Sequence, residues 1–169
     1  MVVAAGVDTL EILIIGLSAT GKSSFVETIC ESYGKGRGDL SGWRLGELTV
    51  DDTLNVRFLE PPPMTVFDFM WMRNLIDRAD VPGFVVLCDS TRAKGFGQTV
   101  GLLETIRVFH PNTPCVLVAN KQDIPGAWRA EDLRIGLGIP DDIPVVPCVA
   151  HDRESVKEVV LQLLYKIMD

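Results

Sequence analysis

The chain has little of what metal-driven, disulfide-driven or membrane-driven folds need. Its two histidines, His110 and His151, stand far apart, which is not the spacing of a metal site. Its four cysteines (Cys30, Cys88, Cys115 and Cys148) include no CxxC pair. That argues against a zinc module and a disulfide scaffold, and leaves reduced thiols in a cytoplasmic protein as the expectation. No apolar run approaches the roughly 18 residues of a membrane span. Met1-Val2-Val3-Ala4-Ala5 lacks the basic and long apolar regions of a secretory signal. Val2 in place of glycine, and Lys166-Ile167-Met168-Asp169 without a prenylation cysteine, give no lipidation motif, so no direct membrane anchor is expected. Positive charge is also scarce. Lys and Arg number 16 against 23 Asp and Glu, a net charge of −7. The broad basic footprint of a nucleic-acid binder is missing, and so is electrostatic docking on anionic lipid.

What is present is an ordinary globular balance: 169 residues, 47% hydrophobic and 23% charged. That length and composition predict one domain with a real core. Residues 1–9 read as an N-terminal extension and 10–169 as the domain. Short apolar runs alternate with helical patterns, the signature of a parallel α/β sheet. Leu10–Ile15, Phe84–Cys88 and Cys115–Ala119 read as buried strands, and Val145–Cys148 as a shorter one. Trp43–Val50 and Thr53–Leu59, joined at Asp51-Asp52, read as a β-hairpin. Helical spacing covers Ser23 to about Tyr33, Phe69 to about Ala79, Gln98 to Phe109, Arg129–Leu137 and Ser155–Met168. Gly34 to Gly38 reads as a flexible loop.

The strongest local signal is Gly16-Leu17-Ser18-Ala19-Thr20-Gly21-Lys22-Ser23, which fits G-x-x-x-x-G-K-[ST] between a buried strand and a helix and is followed by Ser24. Glycines let the backbone wrap closely around a phosphate, with successive N–H groups and the helix N-terminus facing the anion. Lys22 is expected on the β- and γ-phosphates and the Ser23 hydroxyl on Mg²⁺. The base is chosen by a second motif, Asn120-Lys121-Gln122-Asp123, at the end of the third buried strand. A carboxylate at Asp123 accepts both the N1–H and the exocyclic amine of guanine, a match adenine does not offer. The Lys121 stem is placed over the base, and Asn120 is placed to tie this loop to the phosphate loop. A P-loop kinase or ATPase remains a minor reading, opposed by Asn120 to Asp123.

With these two motifs in this order and spacing, the chain resembles the Ras superfamily of small GTPases over about residues 10–168. Val118 to Ala127 is similar to the Arf-type form of the guanine motif, and Gly46 to Trp71 to the bacterial MglA-type GTPases. The resemblance implies a three-layer α/β G domain. Its mostly parallel six-stranded sheet, with one antiparallel edge strand, has strand order 2-3-1-4-5-6 and helices on both faces. It implies GTP/GDP and Mg²⁺ as ligands, and Cys148-Val149-Ala150 as a third guanine loop whose backbone N–H meets guanine O6. It implies regulatory or effector proteins as partners, of roadblock type for the MglA-type relatives.

The departures sit in the switches. Where the family has D-x-x-G, the chain has Glu60-Pro61-Pro62-Pro63. Glu60 keeps a carboxylate that is able to hold a Mg²⁺-bound water. Pro63 has no N–H for a γ-phosphate. Met64 replaces the Gln that orients attacking water. In the first switch, Ser41 is the nearest hydroxyl to the expected Thr, while Thr49 and Thr53 read as strand or turn residues. The expectation is guanine-nucleotide binding with very slow or absent intrinsic hydrolysis, with Lys35, Arg37 or Arg44 as possible sources of an internal arginine finger. The alternative is a pseudo-GTPase scaffold that holds nucleotide statically or not at all.

Overall fold

Three runs of the sequence are dominated by apolar side chains, and all three lie inside the sheet. They form β1 (Asp8–Gly16), β5 (Gly83–Asp89) and β6 (Cys115–Asn120) in the computed structural model, which describes residues 6–62, 75–77 and 79–169. The strands around them are β2 (Ser32–Lys35), β3 (Arg44–Thr49), β4 (Leu54–Glu60) and β7 (Val145–Pro147). One sheet runs in the order β2-β3-β4-β1-β5-β6-β7. The pairs β4–β1, β1–β5, β5–β6 and β6–β7 are parallel, and β2–β3 and β3–β4 are antiparallel.

Side-chain alternation sorts this sheet into two cores. Ile12 and Ile14 of β1 face α1 (Lys22–Ile29) and α4 (Arg153–Met168), where Phe25, Val26, Val156, Val159 and Leu163 meet Val56, Phe58 and Val85. Leu13 and Ile15 face the other way, toward α2 (Phe96–Phe109) and α3 (Ala130–Leu137), with Leu102, Leu103, Ile106 and Leu133 packed on Phe84, Val86 and Leu117. The layers are helices, sheet, helices. Phe58 is 1% exposed and meets Phe25 edge-on, with centroids 6.3 Å apart. Burial of such a ring contributes roughly 1.5–3 kcal/mol. Close approach has its own sequence requirement at Gly46 of β3, where an added Cβ would lie 2.3 Å from Val26 Cγ1 and 2.7 Å from Cys30 Sγ.

The six expected strands are present in the expected order, and a seventh is added. The first helix is shorter than its sequence suggests: it stops at Ile29, and Cys30 is already extended (φ −85°, ψ 147°). Residues 32–35, read as helix end and flexible loop, instead pair with β3 as an antiparallel edge strand, Tyr33 opposite Gly46. The backbone groups on the open edge of β3 are satisfied this way, and Gly34 and Gly36 would weaken any continued helix. A short 3₁₀ turn, Gly38–Leu40, occupies the rest of the expected loop. β1 starts at Asp8, two residues inside the segment read as an extension. Of the helix expected over 69–79, residues 75–77 are helical. Pro63, Met64, Phe69, Met70 and Trp71 lie outside the described residues.

This topology fixes where chemistry gathers. β1, β4, β5 and β6 run parallel, so their carboxyl-terminal residues Gly16, Glu60, Asp89 and Asn120 meet at one edge of the sheet, where open α/β sheets bind ligands.

Candidate functional site

The loop 16–21 leaves β1 and enters α1 through Gly21, whose φ of 101° is left-handed and whose added Cβ would lie 2.4 Å from Asn120 Nδ2. Glycine is therefore required there for both backbone shape and space. No side chain caps α1, and its first turn holds no acidic residue. The amides of its first turn, with the positive end of the helix dipole, are thus directed at whatever anion enters the loop. Lys22 is folded back: its Nζ donates to Gly16 O (2.9 Å) and Leu17 O (2.8 Å). Burial lowers the pKa of its ammonium, with the nearby Glu60 carboxylate acting the other way. Thr20 Oγ1 closes the loop by donating to Leu17 O at 2.9 Å.

The loop after β6 is docked on this loop. Asn120, 2% exposed, donates through Nδ2 to Thr20 O (2.8 Å) and accepts at Oδ1 from Ala150 N–H (3.0 Å). One amide thereby ties three segments together. Lys121 Nζ donates to Ala19 O and to Asp89 Oδ2, both at 2.8 Å. Ala19 (φ 62°) and Lys121 (φ 68°) both adopt the left-handed backbone that costs an L-residue energy. Their mutual hydrogen bond offsets that cost across the junction. Burial raises the Asp89 pKa, but the hydrogen bonds from Lys121 and Thr91 outweigh it and hold the carboxyl below its ordinary 3.8. Gln122 anchors the far side of the loop on Ser90 Oγ and Trp128 O. Asp123 stays exposed, with only His151 Nε2 near its Oδ2 at 3.7 Å.

Residues 148–150, which the resemblance gave as a third guanine loop, lie beside these residues, and their amides have internal partners. Cys148 N–H donates to Ala119 O, Val149 N–H to Ser155 Oγ (2.8 Å) and Ala150 N–H to Asn120. A contact from any of these three amides to guanine O6 has to replace an internal bond.

On the switch side, Glu60 is 7% exposed at the end of β4. Ser23 Oγ donates to its Oε1 (2.5 Å) and the Tyr33 hydroxyl to its Oε2 (2.6 Å). A hydroxyl beside a buried carboxylate is a hard-oxygen donor pair of the kind Mg²⁺ takes together with waters and phosphate oxygens, so Ser23 and Glu60 fit that ion. Among the described residues no group of three or more His, Cys, Asp or Glu forms an all-protein metal cage. Ser41 is exposed at the end of the 3₁₀ turn, Thr49 bonds Glu31 on β3, and Thr53 bonds Asp51 in the hairpin turn. None of the three lines the phosphate-loop cleft.

That cleft, about 570 Å³, is bounded by residues 14–24, Glu60, Pro61 and Pro62, and on its far side by Arg92, Lys94, Gly95, Gln98 and Thr99. Lys35, Arg37 and Arg44, the basic residues singled out in the sequence, do not line it. Arg92 and Lys94 do, and sequence reasoning missed them. The available signal was position: both follow directly on the carboxyl end of β5. Tyr33 was missed too, because nothing local marks a strand tyrosine as a partner for a carboxylate 27 residues away.

A seven-stranded G-domain sheet with a phosphate loop at the carboxyl end of its first strand has the fold of the Ras-superfamily small GTPases. The solved structure of the Arl6 BBS3 small GTPase from Trypanosoma brucei with bound GppNp matches it with a TM-score of 0.71 and 18% identity, over 95% of this chain and 98% of that one. In sequence the chain resembles an Arf-like protein. It is 30% identical over 132 residues to ADP-ribosylation factor-like protein 10 of Mus musculus, which covers 76% of this chain and 52% of that protein. The chain thus spans about half the length of that curated relative. No protein-family model matches it.

Proposed function

We propose that the protein is a guanine-nucleotide-binding regulatory GTPase of Arf-like type that acts through partner proteins and has weak or absent intrinsic GTP hydrolysis. The observation that carries this reading is the Asn120 junction, which joins the phosphate loop, the N-K-Q-D loop and the 148–150 loop through one buried amide. In this reading Gly16 to Ser24 hold the phosphates, with Lys22 turning from Gly16 O and Leu17 O to the β- and γ-phosphates. Ser23 ligates Mg²⁺ with Glu60 beside it, and Asp123 reads the guanine edge. Slow hydrolysis follows from chemistry the chain lacks: Pro63 offers no N–H, and Met64 cannot orient water. Even a complete small-GTPase site turns over at only roughly 10⁻⁴ s⁻¹ unaided.

The MglA-type likeness of Gly46 to Trp71, with its roadblock-type partner, and a cytoplasmic location belong to the same proposal. Four separate free thiols support the location. The scaffold reading keeps one observation in its favour, the self-satisfied switch side, where Ser23 and Lys22 already have protein partners. Nucleotide extracted from the purified protein, together with titrations of GDP and ATP, tests the choice. The expected result is guanine nucleotide with GDP bound far more tightly than ATP. Binding of ATP would overturn the assignment, and binding of neither would favour the scaffold.

A further inference from the structure

Four side chains form a line from the phosphate loop to the margin of the sheet. Ser23 Oγ reaches Glu60 Oε1 at 2.5 Å, Tyr33 reaches Glu60 Oε2 at 2.6 Å, and the Arg44 guanidinium lies 5.7 Å from the centre of the Tyr33 ring. Glu60 is nearly buried, where a carboxylate is costly unless its oxygens have donors. Both of its donors are hydroxyls. One belongs to the residue that ligates the cation in the function proposed above. The other comes from the seventh strand, β2, which pairs only with β3 and whose other residues are exposed.

We propose that Tyr33, backed by Arg44, is a positioning residue for the divalent cation: by holding Glu60 Oε2 it keeps Oε1 turned toward Ser23. Its action on the metal runs entirely through Glu60. A charge-assisted hydrogen bond is the strong kind and restrains its acceptor in direction as well as distance. Without it the carboxylate is free to rotate about its own side chain, and the cation loses a preset oxygen. The same link ties cation binding to the sheet edge, because β2 carries the tyrosine. This inference rests on the nucleotide-binding reading.

The test uses the full chain loaded with a fluorescent GDP analogue, with free Mg²⁺ set by EDTA. In Tyr33→Phe the Mg²⁺ concentration that half-restores slow nucleotide release should rise about tenfold, the size expected for one hydrogen bond to a charged group. Release in excess EDTA should match the parent protein, because Tyr33 does not line the phosphate-loop cleft. Glu60→Gln should raise the Mg²⁺ requirement at least as much, and adding Tyr33→Phe to it should change nothing further, the mark of two residues acting as one unit. Amide exchange of residues 33–35 should slow when Mg²⁺ is added to the parent protein and respond less in Tyr33→Phe. If Tyr33→Phe binds the analogue with the parent's Mg²⁺ requirement, or if the two substitutions add, the Tyr33 role is wrong while the function stands. If the parent protein binds no GDP at any Mg²⁺ concentration, the proposed function fails and the Tyr33 role fails with it. Should Tyr33→Phe not fold, Arg44→Ala reads the same line: a smaller rise in Mg²⁺ requirement supports it, and none overturns it.

Discussion

Asn120 and Glu60 do related jobs on opposite sides of β1. Each ends a strand, each is nearly buried, and each ties a remote segment to the phosphate loop. Their chemistry differs. Asn120 is neutral, and both its donor and acceptor are used on backbone groups, so the junction it makes is static and needs no ligand to be complete. Glu60 carries a charge and is held by hydroxyls alone, one of which is the group a cation would take over. The base side is thus built as a fixed platform, whereas the phosphate side is an arrangement that must be exchanged when metal and phosphate arrive. If the function proposed above holds, with guanine read at Asp123 and no γ-phosphate N–H at Pro63, the protein should bind guanine nucleotide while discriminating poorly between its two states, since a ligand shifts a conformation only by its differential contacts.

Substitutions on the platform should show the largest effects. In the proposed function Asp123→Ala removes two hydrogen bonds from guanine to a charged acceptor, worth about 1.5–3 kcal/mol each, so GDP affinity should fall roughly 10²–10⁴-fold. Because Asp123 is exposed, the melting temperature of the nucleotide-free protein should not move. Asn120→Ala should instead destabilise the free protein by about 2–4 kcal/mol in denaturant unfolding, by leaving Thr20 O and Ala150 N–H buried and unpaired. A variant that lost affinity but no stability would show that the junction forms only with nucleotide present. Across the sheet, Arg92→Ala and Lys94→Ala should lower affinity for a GTP analogue only about threefold and leave GDP unchanged, as distant, solvent-screened charges do. A drop of a hundredfold would make one of them a direct phosphate ligand.

The platform also has a pH signature. The Asp89 carboxyl is held below its ordinary 3.8, chiefly by Lys121 and Thr91 against the opposing effect of burial. Its folded pKa is thus depressed, so the stability it supplies is complete above about 3.8 and is lost as the pH falls through its lower folded value. Asp89→Asn should be less stable than the parent at neutral pH, and the difference should shrink in acid unfolding below that range. A constant difference from pH 7 to pH 3 would contradict the linkage.

The fold and the two nucleotide motifs were legible because they are written locally. Gly16 to Ser23 sits between a strand and a helix whose periodicities are plain, and Cys115 to Asn120 is an uninterrupted apolar run. The edge strand β2 was not legible, since Ser32–Lys35 has no strand pattern of its own and is recruited by the open edge of β3. The left-handed backbones of Ala19 and Lys121 were hidden for a similar reason: neither residue type favours that conformation, and the hydrogen bond that accompanies it joins two loops far apart in the chain. Tyr33 reaches Glu60 through tertiary placement, which no spacing in the chain encodes.

Equilibrium affinities measured side by side for GDP and a non-hydrolysable GTP analogue, at saturating Mg²⁺, separate the proposed function, a base platform without a γ-phosphate sensor, from a complete nucleotide switch. The two dissociation constants should agree within about tenfold, a coupling of no more than about 1.4 kcal/mol. A preference for the GTP analogue of a hundredfold or more would contradict the proposed function, because it would require a γ-phosphate contact beyond that of Lys22, which Glu60-Pro61-Pro62-Pro63 does not supply.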